Sequence, residues 1–231
     1  MAEVADRTGL TRAGVRRLLY TLVKLGYARI SNGRFSLSPR ILDLGFSYLS
    51  SLTARGVAQP VIEGLAREVN ELCTMSVLDG REIVYVIRVE IRTPLTRSLG
   101  IGSRLPAFAT SMGRVLLAGE NDQAINTFLL SQDLRRITRY TNTDPQQLAK
   151  EIRKVRREGW SLVKQELELG VCGLSAPVRD ARGRVVAAAS ISFNMARFDE
   201  RQAMHSFLPK LLTVAEEISL GIRSMPGDFV L

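Results

Sequence analysis

The chain has 231 residues, 45% of them hydrophobic and 24% charged, with a formal net charge of +9. This leaves room for two domains, and no stretch has the roughly 20 apolar residues of a membrane span. MAEVADRTGL lacks the apolar core of a signal peptide, so no membrane partner and a cytoplasmic location are expected. Two cysteines (Cys73, Cys172) and one histidine (His205) make neither a disulfide framework nor a zinc-ligand spacing; no metal and no cofactor is expected. The charge is uneven. Residues 1–55 hold nine Lys/Arg against three acids, +6, and the rest of the chain carries only +3. That asymmetry points to a polyanion-binding N-terminal segment.

AEVADRT (2–8) predicts a short helix with Val4 and Ala5 inward, followed by a Gly9-Leu10 corner. Thr11 is a natural N-cap for a second helix that Gly26 stops. Val15, Leu18, Leu19, Leu22, Val23 and Leu25 recur at helical spacing as one buried stripe. The opposite face carries Arg12, Ala13, Arg16, Arg17, Tyr20 and Lys24. YARIS and RFSL flank Asn32-Gly33, a strong hairpin signal, and place Arg29 and Arg34 on a two-stranded wing. The expectation is a winged helix-turn-helix over 1–38 and a linker helix over 39–55. That helix is apolar through Leu52, with Leu42, Gly45 and Leu49 on one face able to pair with a copy of itself.

Residues 56–231 read as a second domain, with Arg55-Gly56 as the boundary. A helix over about Val57–Asn70 has Pro60 in its first turn. Period two then begins at Cys73, with a hairpin at Asp79-Gly80, and 98–106 reads as strand then loop. Helices follow over 108–119, 121–131 and, from Asp144-Pro145 to Gly159, over 145–158. Strands are expected over 160–166, 173–180 and 184–193, and one long helix from Glu200 to about Arg223. The fold class is α+β with an antiparallel sheet.

The polar front of the second helix suits a DNA major groove, with double-stranded DNA as partner and Thr11, Arg12, Arg16, Arg17, Tyr20, Arg29 and Arg34 as the contact set. Ser111 and Met112 stand near a helix front that could take a carboxylate or phosphate, or could be ordinary capping. Ser190 and Ser192 share one sheet face and either line a polar cleft or face solvent. Cys172 sits between Gly170 and Gly173 with nothing nearby to activate it, and its role stays open. No dinucleotide, Walker or G-x-S-x-G pattern occurs, so catalytic residues are not expected. The alternatives are a small-acid-processing enzyme and an effector-independent DNA-binding oligomer.

AEVADRTGLTRAGVRRLLYTLVKLGY, NGRFSLSPRILDLG, SRLPAFATSMGRVLLAG and the REGWSLVKQELELGVCGLSAPVRD segment resemble the IclR family of bacterial transcriptional regulators. PAFATSMGRVLLAG and the ISFN strand end are similar to the subgroup controlling protocatechuate, 4-hydroxybenzoate and β-ketoadipate catabolism. The resemblance implies a winged helix, a linker helix and a GAF-like effector domain, assembling as a homodimer or dimer of dimers on two half-sites. It implies a small carboxylate effector, an aromatic acid or ring-cleavage product, held by Ser111, Met112, Val171, Gly173, Ser190 and Ser192. Family members often have Cys or Ser at the Gly173 position and commonly Arg at the Cys172 position. They also carry a helix ahead of the AEVA segment. The resemblance therefore implies that this chain lacks its first helix, leaving part of the Val15/Leu19/Leu22 stripe exposed or covered by a neighbouring copy.

Overall fold

The computed structural model describes residues 1–51, 53–91, 99–131 and 133–224. It divides into two compact units, Met1–Ser51 and Leu52–Leu231.

In the first unit, α1 (Ala2–Thr8) ends at Gly9, whose φ of 67° makes the left-handed cap the corner needs. Thr11 caps α2 (Arg12–Lys24) by accepting the Gly14 N–H at 3.2 Å. β1 (Ala28–Ser31) and β2 (Arg34–Leu37) pair antiparallel around Asn32 and Gly33, both at positive φ. Arg40 donates to the Leu25 carbonyl at 2.8 Å with its guanidinium over Tyr27, closing the end of α2. α3 (Ile41–Ser51) follows. Two burial expectations fail here. Val4 is exposed, and of the α2 stripe only Val15 is buried while Leu18, Leu22 and Leu25 are exposed, against the buried stripe that spacing implied and in line with the partly exposed one that the family resemblance implied. Periodicity places side chains on a face, but the face is buried only where something packs on it.

The second unit starts with α4 (Thr53–Val69). The expected boundary at Arg55-Gly56 lies inside this helix, and Pro60 sits in its interior rather than its first turn; Leu52 is outside the described residues. The proline removes one backbone bond, yet Ala54, Ala58, Ile62 and Leu65 are all buried, so packing carries the helix through. The strands are β3 (Leu72–Asp79), β4 (Glu82–Val89), β5 (Arg104–Pro106), β6 (Ser161–Lys164), β7 (Val171–Arg179) and β8 (Val185–Asn194). They form one antiparallel sheet in the order β5-β4-β3-β8-β7-β6. For 98–106 the order is the reverse of the expected one: a turn precedes the strand. Ser98 is outside the described residues.

Helices cover both faces. α5 (Ser111–Ala118) lies against one face, with α7 (Pro145–Glu158) packed on α5 and α6 (Asp122–Leu130) on α7. On the other, α4 packs with α9 (Leu208–Arg223), and Phe193 of β8 stacks 5.5 Å from Phe207. The single C-terminal helix expected is instead α8 (Glu200–Ser206) and α9, broken at Phe207 ahead of Pro209. Pro209 lacks the N–H that would continue the ladder back into α8.

Candidate functional site

On α2, Arg12, Arg16, Arg17 and Tyr20 are all exposed within about 140° of the helix circumference. Arg16 lies over the Tyr20 ring at 5.7 Å, and that ring meets Phe35 of β2 edge-on at 5.7 Å. The wing therefore braces the helix front and pre-orders one arginine. Arg29 pairs with Ser36 and Ser31 with Arg34, so the two wing arginines share the face opposite Phe35. Thr11 keeps its hydroxyl on the helix cap.

In the second unit a cavity of about 70 Å³ lies between the sheet and the front of α5, room for roughly five waters. Its floor includes Leu72, Val163, Val171, Gly173 and Ser192, and its roof Thr110, Ser111 and Met112. Thr110 caps α5 through the Gly113 N–H at 3.1 Å, leaving the first-turn amides of Ser111 and Met112 without helical partners. The helix front sits low because Gly113 has no side chain: a Cβ there would stand 2.0 Å from the Ala107 carbonyl oxygen. Of the six residues expected to hold an effector, five line this cavity. Ser190 does not. It shares the sheet face with Ser192, but it is fully buried and donates to the Leu174 carbonyl at 3.0 Å. Cys172 points to the opposite face from Gly173, paired beside Phe193; burial pushes its thiol up to about 11, so it is an inert packing residue. His205 is exposed on α8.

The most informative lining residue escaped the sequence reading. Arg88 of β4 has a side chain only 8% exposed; its Nη2 bonds Glu90 at 3.0 Å, while its Nη1 is buried with no hydrogen-bond partner among the described residues. Simple alternation would put Tyr85 and Arg88 on opposite faces. A bulge shifts the β3–β4 register between Met75 and Ser76, so Thr74 pairs with Arg88 and Ser76 with Tyr85. Both side chains then line the cavity. Burial pushes the Tyr85 phenol up to about 12, keeping it neutral. The available signal was a lone arginine inside an apolar strand, IVYVIRV.

A second arginine is buried nearby and fully engaged. Arg114 of α5 donates from Nε to the Phe108 carbonyl at 3.1 Å and from Nη2 to both oxygens of Glu166 at 2.8 and 2.7 Å, and its Nη1 forms an ion pair with Glu151 at 2.8 Å. Burial raises the Glu166 carboxyl above its ordinary value, opposed by Arg114 and by the Asn142 N–H. The Glu166 carbonyl accepts from Thr141 and the Gln165 carbonyl from Thr138, which fixes the loop walling the cavity at Glu166, Leu167 and Glu168.

A winged helix-turn-helix in one chain with an α+β unit that holds a small, mostly apolar cavity is the build of a DNA-binding regulator. The profile for the IclR helix-turn-helix domain matches residues 1–30, and that for the bacterial transcriptional regulator IclR C-terminal matches residues 46–220, so the chain belongs to the IclR family. It is 38% identical over 219 residues to the Pca regulon regulatory protein of Pseudomonas putida, covering 94% of this chain and 75% of that one. A crystal structure described as a transcriptional regulator from Rhodococcus sp. RHA1 is 44% identical with a TM-score of 0.81, covering 96% and 89% of the two chains. An IclR homologue from Microbacterium hydrocarbonoxydans, solved in complex with 4-hydroxybenzoate, is 25% identical with a TM-score of 0.80, covering 97% and 91%. The Pseudomonas and Rhodococcus relatives are named as regulators and not as enzymes, and the helix-turn-helix makes this chain a DNA-binding protein. Among the described residues no helix is long and apolar enough to cross a membrane.

Proposed function

We propose that this chain regulates an aromatic-acid catabolic operon, with a small aromatic carboxylate as its effector. The observation that carries this reading is Arg88: a buried guanidinium at the wall of a mostly apolar cavity, with one nitrogen unpartnered among the described residues, strongly favours an anion there. The front of α5 adds unpaired amides to the same space. Leu72, Tyr85, Leu105 and Val171 offer a ring apolar contact, and the volume excludes a nucleotide. On this reading the carboxylate meets Arg88 and the amides of Ser111 and Met112, with Val171, Gly173 and Ser192 as the floor.

The reading extends to the rest of the molecule. Residues 1–38 bind DNA through Arg12, Arg16, Arg17 and Tyr20 with Arg29 and Arg34 on the wing, 39–55 link, and 56–231 sense the effector. The chain acts in the cytoplasm as a homodimer or dimer of dimers on two half-sites. Isothermal titration with 4-hydroxybenzoate and protocatechuate tests it. Arg88→Gln is expected to weaken binding by about tenfold or more, the value of a charge-assisted hydrogen bond. The neutral 4-hydroxybenzamide should bind as weakly to wild type. An Arg88→Gln protein with undiminished affinity rules the assignment out.

A further inference from the structure

Gly173 on β7 and Ser111 at the first position of α5 meet across the cavity wall. A Cβ at position 173 would stand 2.6 Å from the Ser111 Oγ and 3.6 Å from its Cβ. Gly173 is not at positive φ, so backbone conformation does not call for a glycine. Space does. The Ser111 hydroxyl sits over the glycine, 2.7 Å from the Ser175 Oγ, and Ser111 is buried. A helix hydroxyl thus fills the one position of this strand face that lacks a side chain, and its hydrogen bond with Ser175 satisfies it there.

We propose that Ser111 and Gly173 form a size-setting pair for the effector, an inference that rests on the cavity being the effector site. The glycine seats the serine hydroxyl out of the cavity, and so keeps the floor wide enough for a ring bearing a hydroxyl substituent. Gly173 pairs with Val163 on one side and Ser192 on the other, and both of these line the cavity. Width at position 173 is therefore width at the middle of the floor, beside the Ser192 hydroxyl. Any side chain there unseats Ser111. The surrounding interior is close-packed, and the nearest free volume is the cavity itself. In about 70 Å³, losing the space of one methyl or hydroxyl selects a smaller ligand. Ser111 then acts on the effector through where its hydroxyl is stored, not by touching it.

Titration of 4-hydroxybenzoate and benzoate into wild type, Ser111→Ala, Gly173→Ala and the double variant tests the pair. Gly173→Ala should weaken 4-hydroxybenzoate by roughly tenfold or more and benzoate by much less, the scale of one extra methylene in a pocket. The double variant should bind 4-hydroxybenzoate within about twofold of Ser111→Ala, because the clashing atom is gone from both. A double variant as weak as Gly173→Ala overturns the pair, as does a Gly173→Ala that weakens both acids equally. A Ser111→Ala loss matching that of Arg88→Gln also overturns it, by making Ser111 a direct contact. If Gly173→Ala melts before titration, the double variant decides, since it carries no clash and must bind like Ser111→Ala. Absence of binding by either acid to wild type would reject the effector reading itself, and the pair with it.

Discussion

The two units hold their functional side chains in opposite surroundings. In Met1–Ser51 every candidate arginine is exposed, and among described apolar side chains only Ala5, Val15 and Ala28 are buried. In the second unit Ser111, Met112, Ser192, Arg114 and Glu166 are buried, and Arg88 keeps a side chain only 8% exposed. The difference follows from the ligand each must meet. A polyanion is met by hydrated charges that release counterions on contact, and holding such charges on a surface costs little. A single small carboxylate has no such field, so its partner must be desolvated beforehand, and the fold must offset that penalty elsewhere.

The sharpest way to break this contrast is Arg114→Met. The substitution leaves Glu166, whose side chain is 9% exposed, without its bidentate partner, while Glu151 at 32% can rehydrate. Removing one member of a buried ion pair costs about 3–5 kcal/mol, and urea unfolding of the full chain should show it. A loss below about 1 kcal/mol would place the triad in water and remove the distinction between the units.

Next in size are the exposed arginines. Arg16→Ala and Arg17→Ala should each weaken DNA binding by about 1–3 kcal/mol if they read bases, or lower the salt slope by about one if they hold phosphates. Anisotropy on a site selected from a random DNA pool, at two salt concentrations, separates the two. Arg16 is the stronger candidate for base contact because Tyr20 and Phe35 already order it. Neither substitution should move effector affinity. Unchanged DNA affinity and slope in both variants would remove the recognition-helix assignment.

Much of the DNA-binding unit was legible because its signals are local. The Gly9 corner, the Thr11 cap and the Asn32-Gly33 turn each lie within a few residues of the structure they specify. Spacing alone did not show the exposure of Leu18 and Leu22, since it depends on what packs there; only the family resemblance implied that part of the stripe, with Leu22 in it, would lie open. In the effector unit the Asp79-Gly80 hairpin and α7, from the Asp144 cap to Gly159 at φ 78°, were equally plain. The cavity was harder for two reasons. One bulged residue in β4 reverses which face Arg88 occupies, and period-two reading has no means to see it. Arg114 and Glu166 are 52 residues apart in sequence, so only the fold joins them; a lone charge in the apolar run SMGRVLLAG was the sole hint. Ser190 and Ser192 look alike in the chain, and the carbonyl of Leu174 separates their roles.

The smallest expected effects compare the two units on equal terms, through one helix cap in each. Asp144 accepts from the N–H groups of Gln146 at 2.8 Å and Gln147 at 3.4 Å, and its charge sits at the positive end of α7. Thr11 accepts a single, longer bond from Gly14 at 3.2 Å and contributes no charge. Cap removal costs about 0.5–2 kcal/mol, so Asp144→Ala belongs near the upper part of that range and Thr11→Ala near the lower. Hydrogen exchange can resolve the two, because protection of the first turn of α7 should fall in one variant and that of α2 in the other. Thr11→Ala has a second consequence that Asp144→Ala lacks. Fraying the first turn of α2 disorders Arg12 and Arg16 directly, so DNA affinity should drop with little change in global unfolding. If Thr11→Ala instead lowers global stability as much as Asp144→Ala while DNA binding holds, the first unit is braced by more than its visible packing, and its exposed stripe is covered in solution.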